Sequence, residues 1–319
     1  LINLSIKRLG IKNYVLILAN VFSYETRNNF RLRMQINYLV KLIKPSLVAL
    51  SFEGNCWEKG VFNVCKNLEK NKKIKCKTVG YQHAGIMNLQ TIINHRYKNF
   101  FNPDFVITSG KTNMKYFYKF FKTKKKIFEI GSNRHVQNIN KKNKIKKLNK
   151  NILILPEGTY EETKILFDLS AQLAKNYPRK NFILRTHPQI NINSFSKRFL
   201  IFDKYTSLKN LIFSKKTFDE DLKRSDAVIY RGSTGIVTAI LHGLIPIYFK
   251  QSGEKLNLDP IFNLKKFKKI ISSIKDFGKA LDNINYNDFN KAKIFSSNYF
   301  TPQKLSKTLN VFKKISDNN

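Results

Sequence analysis

The chain has 319 residues, 42% hydrophobic and 13% aromatic, enough material for two ordinary cores and incompatible with global disorder. Its 59 Lys and Arg against 21 Asp and Glu give a formal net charge of +38. Such an excess can signal nucleic acid or an anionic membrane face. Here the basic residues are spread along the chain, and Lys, Asn, Ile, Phe and Tyr are abundant together, as the codons of an A/T-rich genome dictate. A nucleic-acid partner is therefore not expected, and a loose association with an anionic membrane surface is.

Cys56, Cys65 and Cys76 are spaced nine and eleven apart, which fits neither paired zinc ligands nor a disulfide framework. Reduced thiols and a cytoplasmic location, peripheral on the inner face of the membrane, are the expectation. No apolar run approaches the ~20 residues of a membrane span. The sequence opens at Leu1 and not at Met, so an upstream portion is expected to be missing.

In chain order, short runs rich in Val, Ile and Phe alternate with amphipathic stretches, the pattern of βαβ units on a parallel sheet. Strands are predicted at 15–20, 47–52, 77–82, 105–110 and 127–132, with helices at 24–43 and 58–70. The strand at 47–52 runs into Glu53-Gly54-Asn55-Cys56-Trp57-Glu58, which holds the only Trp. The strand at 77–82 runs into His83-Ala84-Gly85. Glu53 and His83 thus emerge at neighbouring strand ends, where either could serve as general base toward a hydroxyl. Glu58 reads as a first-turn helix acid. Ser109-Gly110-Lys111-Thr112 resembles the end of a P-loop, but Phe105 stands where that motif requires Gly, so no phosphate cradle is expected.

The polar, Lys/Asn-rich segment 138–150 reads as a linker between an acceptor-side domain (1–137) and a donor-side domain (151–296), with a C-terminal helix over 297–319. The second series comprises strands at 151–156, 181–188, 227–232 and 245–249 and helices at 160–177, 217–225, 234–243 and 303–317. Pro156-Glu157-Gly158-Thr159 follows its first strand and opens a helix. Arg185-Thr186-His187-Pro188 ends the next strand, with Pro188 stopping it. Arg231-Gly232-Ser233-Thr234-Gly235 links a strand directly to a helix, offering free N–H groups, two hydroxyls and an adjacent cation to an anion. Asp219-Glu220-Asp221 mimics a metal-binding triplet but opens a helix, where acids belong; neither a metal nor a cofactor is expected.

These segments resemble bacterial surface-carbohydrate glycosyltransferases of GT-B type, those that build capsule and O-antigen, including sialyltransferase-like and Kdo-transferase-like enzymes. The resemblance is carried by FEGNCWE (52–58), GYQHAG (80–85), RTHP (185–188), RGSTG (231–235) and LNLDP (256–260). It implies two doubly wound Rossmann-like domains facing across a cleft, and transfer of a sugar from a nucleotide-activated donor to a glycan or lipid-linked acceptor. It also implies that His187, Ser233 and Thr234 hold the donor phosphate; the strand-end loops themselves add Arg231, Gly232 and Gly235 to that phosphate site and Glu157, Gly158, Thr159 and Arg185 as weaker donor contacts. Relatives place an acidic pair before a Gly as base; the matches here are Glu53-Gly54 and Glu157-Gly158. A polyol-phosphate transferase or a nucleotide-sugar epimerase of the same fold is the alternative, ahead of a basic nucleic-acid-binding protein.

Overall fold

The structure, a computed structural model, describes residues 15–16, 18–87, 101–121, 126–134, 146, 149–199, 205, 207–254, 257–282 and 288–317. They form two parallel sheets. The first comprises β1 (Leu47–Ser51), β2 (Lys77–Gln82), β3 (Phe105–Thr108) and β4 (Ile127–Glu129), in the order 1-2-3-4. The second comprises β5 (Asn151–Leu155), β6 (Asn181–Leu184), β7 (Leu211–Phe213), β8 (Ala227–Tyr230), β9 (Ile245–Phe249) and β10 (Lys269–Ile271), in the order 10-9-8-5-6-7. The order reverses between β5 and β8, the switch point at which doubly wound sheets open a crevice.

The helices are α1 (Tyr24–Ile43), α2 (Cys56–Lys70), α3 (Lys111–Phe121), α4 (Tyr160–Asn176), α5 (Ile192–Phe199), α6 (Phe218–Arg224), α7 (Gly235–Leu241), α8 (Ile274–Asp282), α9 (Phe289–Ser297) and α10 (Leu305–Asp317). The second sheet is covered on both faces. Ile152, Ile154, Phe182 and Leu184 pack with α4 and α8, while Leu153, Leu155, Ile183 and Val228 pack with α7 and α9. Continuous apolar strands are what such two-sided burial requires, and each fully buried side chain of this size contributes about 1.5–3 kcal/mol. In the first sheet Phe52, Phe62, Val106, Phe117 and Ile127 form one core. Val79, Phe105 and Ile107 on the other face receive Val311 and Ile315 of α10, so the chain's last helix returns to the first sheet.

That return is made by residues 298–302. Thr112 N–H donates to Asn298 O at 2.9 Å, Thr301 N–H to Ser109 O at 3.0 Å and Ser132 N–H to Thr301 O at 2.8 Å. Tyr299 is buried at this seam; its hydroxyl accepts from Ile86 N–H at 3.0 Å and donates to Pro260 O at 3.1 Å.

One expected element is corrected. Residues 15–20, read as a strand, are helical where described, and Val15 and Leu16 are more than half exposed. A short apolar run has no period that separates a strand from a helix, and this one has no sheet neighbour. The segment read as a linker, 138–150, lies mostly outside the described residues. Within it, the Lys146 ammonium caps the end of α6 by donating to the carbonyls of Leu222, Lys223 and Ser225 at 2.7–2.8 Å.

Candidate functional site

On the first sheet, Phe52 turns into the core against Phe62 and Phe117, so Glu53 is the first residue free to leave at the carboxyl edge of β1. Gly80 makes room for this, since a Cβ there would come within 2.8 Å of the Phe52 ring. Gly54 then takes φ +90°, a conformation that favours glycine. The resulting turn wraps one carboxylate. The backbone N–H groups of Glu53, Gly54 and Asn55 donate to fully buried Glu58 at 2.8–3.1 Å, and the Ser51 hydroxyl does so at 3.1 Å. Glu58 is thus the first-turn acid expected from sequence, completing a capping box with Asn55. It also sets the position of Glu53, a role that sequence reading missed although the Asn-x-x-Glu spacing signals it.

His83 leaves the adjacent β2 and places Nε2 3.4 Å from Glu53 Oε1, with both side chains about a third exposed. Buried Gln82 holds the His83 loop: its Oε1 accepts from the Ser109 N–H and hydroxyl at 3.3 and 3.2 Å, and its amide donates to Ala84 O. The false P-loop is filled by the chain itself. A Cβ on Gly110 would come within 2.2 Å of Tyr299 O, so no phosphate can enter there.

On the second sheet, β8, β5 and β6 are neighbours, and their following loops form one row. A Cβ on Gly232 would come within 2.3 Å of Glu157 Oε2, and one on Gly158 within 3.0 Å of His187 Nδ1. Ser233, Gly232, Glu157, Gly158 and His187 therefore run side by side along the carboxyl edge. Gln189 N–H donates to His187 Nδ1 at 3.3 Å, which leaves the proton of the neutral ring on Nε2, free to donate. Burial holds the His187 imidazole below its ordinary pKa. Burial first, and Glu162 second, raise the Glu157 carboxyl above the usual carboxylate range.

Thr234 makes no side-chain capping hydrogen bond, and Ser233 Oγ accepts only a long one, 3.4 Å from Gly235 N. The two sheets meet here: a Cβ on Gly85, in the loop after β2, would come within 2.3 Å of Thr234 Cγ2. This contact brings the Glu53–His83 side of the molecule to the Ser233–His187 row.

One expected phosphate contact, Arg231, and two expected weaker donor contacts, Arg185 and Thr159, are engaged within the protein itself. Arg231 lies behind the row, its side chain 3% exposed, and its guanidinium pairs with Glu162 and, at 2.9 Å, with Glu254. It braces the loop from beneath through these two carboxylates. Arg185 is committed to Asp221 at 2.8 Å and to Lys216 O. The Thr159 hydroxyl is spent as the N-cap of α4. The acidic triplet is equally engaged: Asp219 pairs with Lys223 at 2.5 Å, Glu220 caps Thr217, and buried Asp221 takes both arginines, Arg185 and Arg224. Among the described residues no three His, Cys, Asp or Glu side chains are grouped to hold a metal. In the LNLDP segment, Asp259 is buried and pairs with Lys268 and the Tyr230 hydroxyl, which makes it a brace of the second sheet. A separate open cavity of about 650 Å³ lies between α3 and α9, lined by Lys111, Lys115, Tyr116, Lys291 and Phe295 among others. Among the described residues no helix is long and apolar enough to cross a membrane.

The sequence matches no family model and no curated protein. Solved structures do match the fold. The UDP-GlcNAc 2-epimerase of Methanocaldococcus jannaschii, in complex with UDP-GlcNAc and UDP, is 13% identical with a TM-score of 0.53, over 90% of this chain and 80% of that one. S. aureus MnaA, in a co-structure with UDP, is 13% identical with a TM-score of 0.53, over 91% and 79%. The GtfA/B complex is 14% identical with a TM-score of 0.51, over 88% and 60%. At these identities the likeness is one of architecture, and it agrees with the sheets described above: the chain has the two-domain GT-B fold, two Rossmann-like halves meeting at the carboxyl edges of their strands.

Proposed function

We propose that this protein is a glycosyltransferase that holds a nucleotide-activated sugar on the second sheet and transfers the sugar to a hydroxyl presented from the first. The observation that carries this reading is the Gly85–Thr234 contact, which joins a half-buried carboxylate–imidazole couple to a row of unspent hydroxyl and imidazole donors. The His187 Nε2–H, the Ser233 and Thr234 hydroxyls and the loop N–H groups would bind the donor phosphate. They would strengthen their hold as the glycosyl–oxygen bond breaks and charge gathers on the leaving phosphate. Glu53 would take the proton from the acceptor hydroxyl, with His83 orienting its carboxylate. A surface-polysaccharide or lipid-linked glycan is the acceptor class proposed.

The likeness to the M. jannaschii epimerase with UDP-GlcNAc favours a second reading, a nucleotide-sugar epimerase. The two readings share the phosphate row and differ in whether an acceptor is consumed. With a nucleotide sugar supplied alone, an epimerase changes the sugar, whereas a transferase leaves its configuration intact until an acceptor is added.

Calorimetric titration of CMP, CDP, UDP and GDP tests the shared premise. At least one nucleotide should bind, and His187→Ala and Ser233→Ala should each weaken it about tenfold to a hundredfold, the loss of one charge-assisted hydrogen bond of about 1.5–3 kcal/mol. The bare nucleoside should bind as before. Equal losses for nucleoside and nucleotide would show that these residues do not contact phosphate.

A further inference from the structure

Among the described residues, twelve of the seventeen exposed large hydrophobic side chains lie between Val15 and Ile43. The helix α1 accounts for most of them. Its inner side is ordinary: Val40 and Ile36 pack against Val61, Val64 and Leu68 of α2, and Arg33 donates to Asn63 at 2.7 Å. Its outer side carries Phe30, Met34, Tyr38 and Leu42, spaced four apart and therefore in one stripe, each 56–66% exposed. Phe22, 74% exposed, precedes the helix. Helices on a protein surface normally turn charge outward, and a contiguous apolar strip of this size marks an interaction face.

The charges on the same side name the partner. Arg27, Arg31 and Lys41 flank the stripe, all open to solvent. The helix's one acid, Glu25, stands in its first turn away from the stripe. Large apolar side chains interleaved with basic ones suit a surface that is negative at its rim and hydrocarbon beneath it. A second copy of the chain would fit poorly. A two-fold pairing of this face would bring the basic residues of one copy toward those of the other, between two molecules that each carry +38.

We propose that the outer face of α1 docks on an anionic lipid bilayer, with the Phe30–Leu42 stripe at the level of the headgroup–acyl boundary and Arg27, Arg31 and Lys41 among the lipid phosphates. Whatever reaction the cleft performs then takes place beside a leaflet. The inference does not depend on glycosyl transfer, and its test uses no donor.

Co-sedimentation of the full chain with vesicles of phosphatidylcholine containing about a third phosphatidylglycerol should show binding that phosphatidylcholine alone does not support. The exposed triple change Phe30→Ser, Met34→Ser and Leu42→Ser should weaken it at least about tenfold, and Arg27→Gln with Arg31→Gln should do so to a similar degree, from about fivefold per charge. Tyr38→Trp, a single exposed change, should show a blue-shifted emission on anionic vesicles that is absent when Trp57 is the only indole. Binding undiminished by the triple change would overturn the proposal in favour of diffuse adsorption of a basic chain. So would an unshifted indole at position 38, or a concentration-dependent dimer that the triple change abolishes.

Discussion

Replacing Glu53 by Gln is expected to lower turnover by about 10²–10⁴-fold, the usual contribution of a positioned general base. Gln keeps the shape of the side chain and can still contact His83, so only basicity is removed. The surrounding turn should survive, because its three N–H groups are held by Glu58 and not by Glu53. Nucleotide affinity should therefore stay unchanged, the signature of a group that acts on the acceptor and in the transition state alone. His83→Gln provides the companion result. If His83 only orients the carboxylate, its loss should cost less than that of Glu53. Full activity in Glu53→Gln would move the base elsewhere. Glu58→Gln should differ from both, lowering stability together with activity by loosening the turn.

Arg231→Met is expected to destabilise the fold by about 3–5 kcal/mol, because it leaves Glu162 and Glu254 as uncompensated charges in a largely buried position. Against a total stability of about 5–15 kcal/mol, this is a sizeable share of the whole. Urea denaturation should show the lower midpoint, and adding Glu162→Gln and Glu254→Gln should recover much of the loss, since the penalty comes from the orphaned carboxylates. A phosphate-binding arginine would behave in the opposite way, with stability intact and affinity lost. The measurement thus separates the role expected from sequence from the one the ion pairs indicate.

That reassignment shows what a sequence pattern can carry. Arg231 beside Gly-Ser-Thr-Gly reads as a phosphate ligand because position along the chain gives proximity, whereas its partners Glu162 and Glu254 come from elements 69 and 23 residues away. Such long-range pairs leave no local trace. The strands that line the row were readable because two-sided burial forces continuous Val, Ile and Leu runs, and β2 and β9 coincide with their predicted spans. The strands β7 and β10, three residues each, lie outside every predicted span. Residues 15–20 failed for the opposite reason: an apolar run suggests burial in a sheet, yet this one lies on an exposed helical segment. The P-loop resemblance fails on spacing and the acidic triplet reads as a helix start; in the structure a backbone packs against Gly110 and two arginines close over Asp221. Glu58 is the instructive miss. Its capping spacing was visible, but its hold on three successive N–H groups depends on the positive φ of Gly54.

The most direct test of the central claim, that the Ser233–His187 row holds a donor phosphate facing Glu53 and His83, is a crystal structure with the nucleotide that binds most tightly in the calorimetric series. Phosphate oxygens are expected at about 3 Å from His187 Nε2 and from the Ser233 or Thr234 hydroxyl, with Arg231 still closed on Glu162 and Glu254. A nucleotide seated instead in the cavity between α3 and α9, against Lys111, Lys115 and Lys291, or one whose phosphate touches neither His187 nor Ser233, would contradict it.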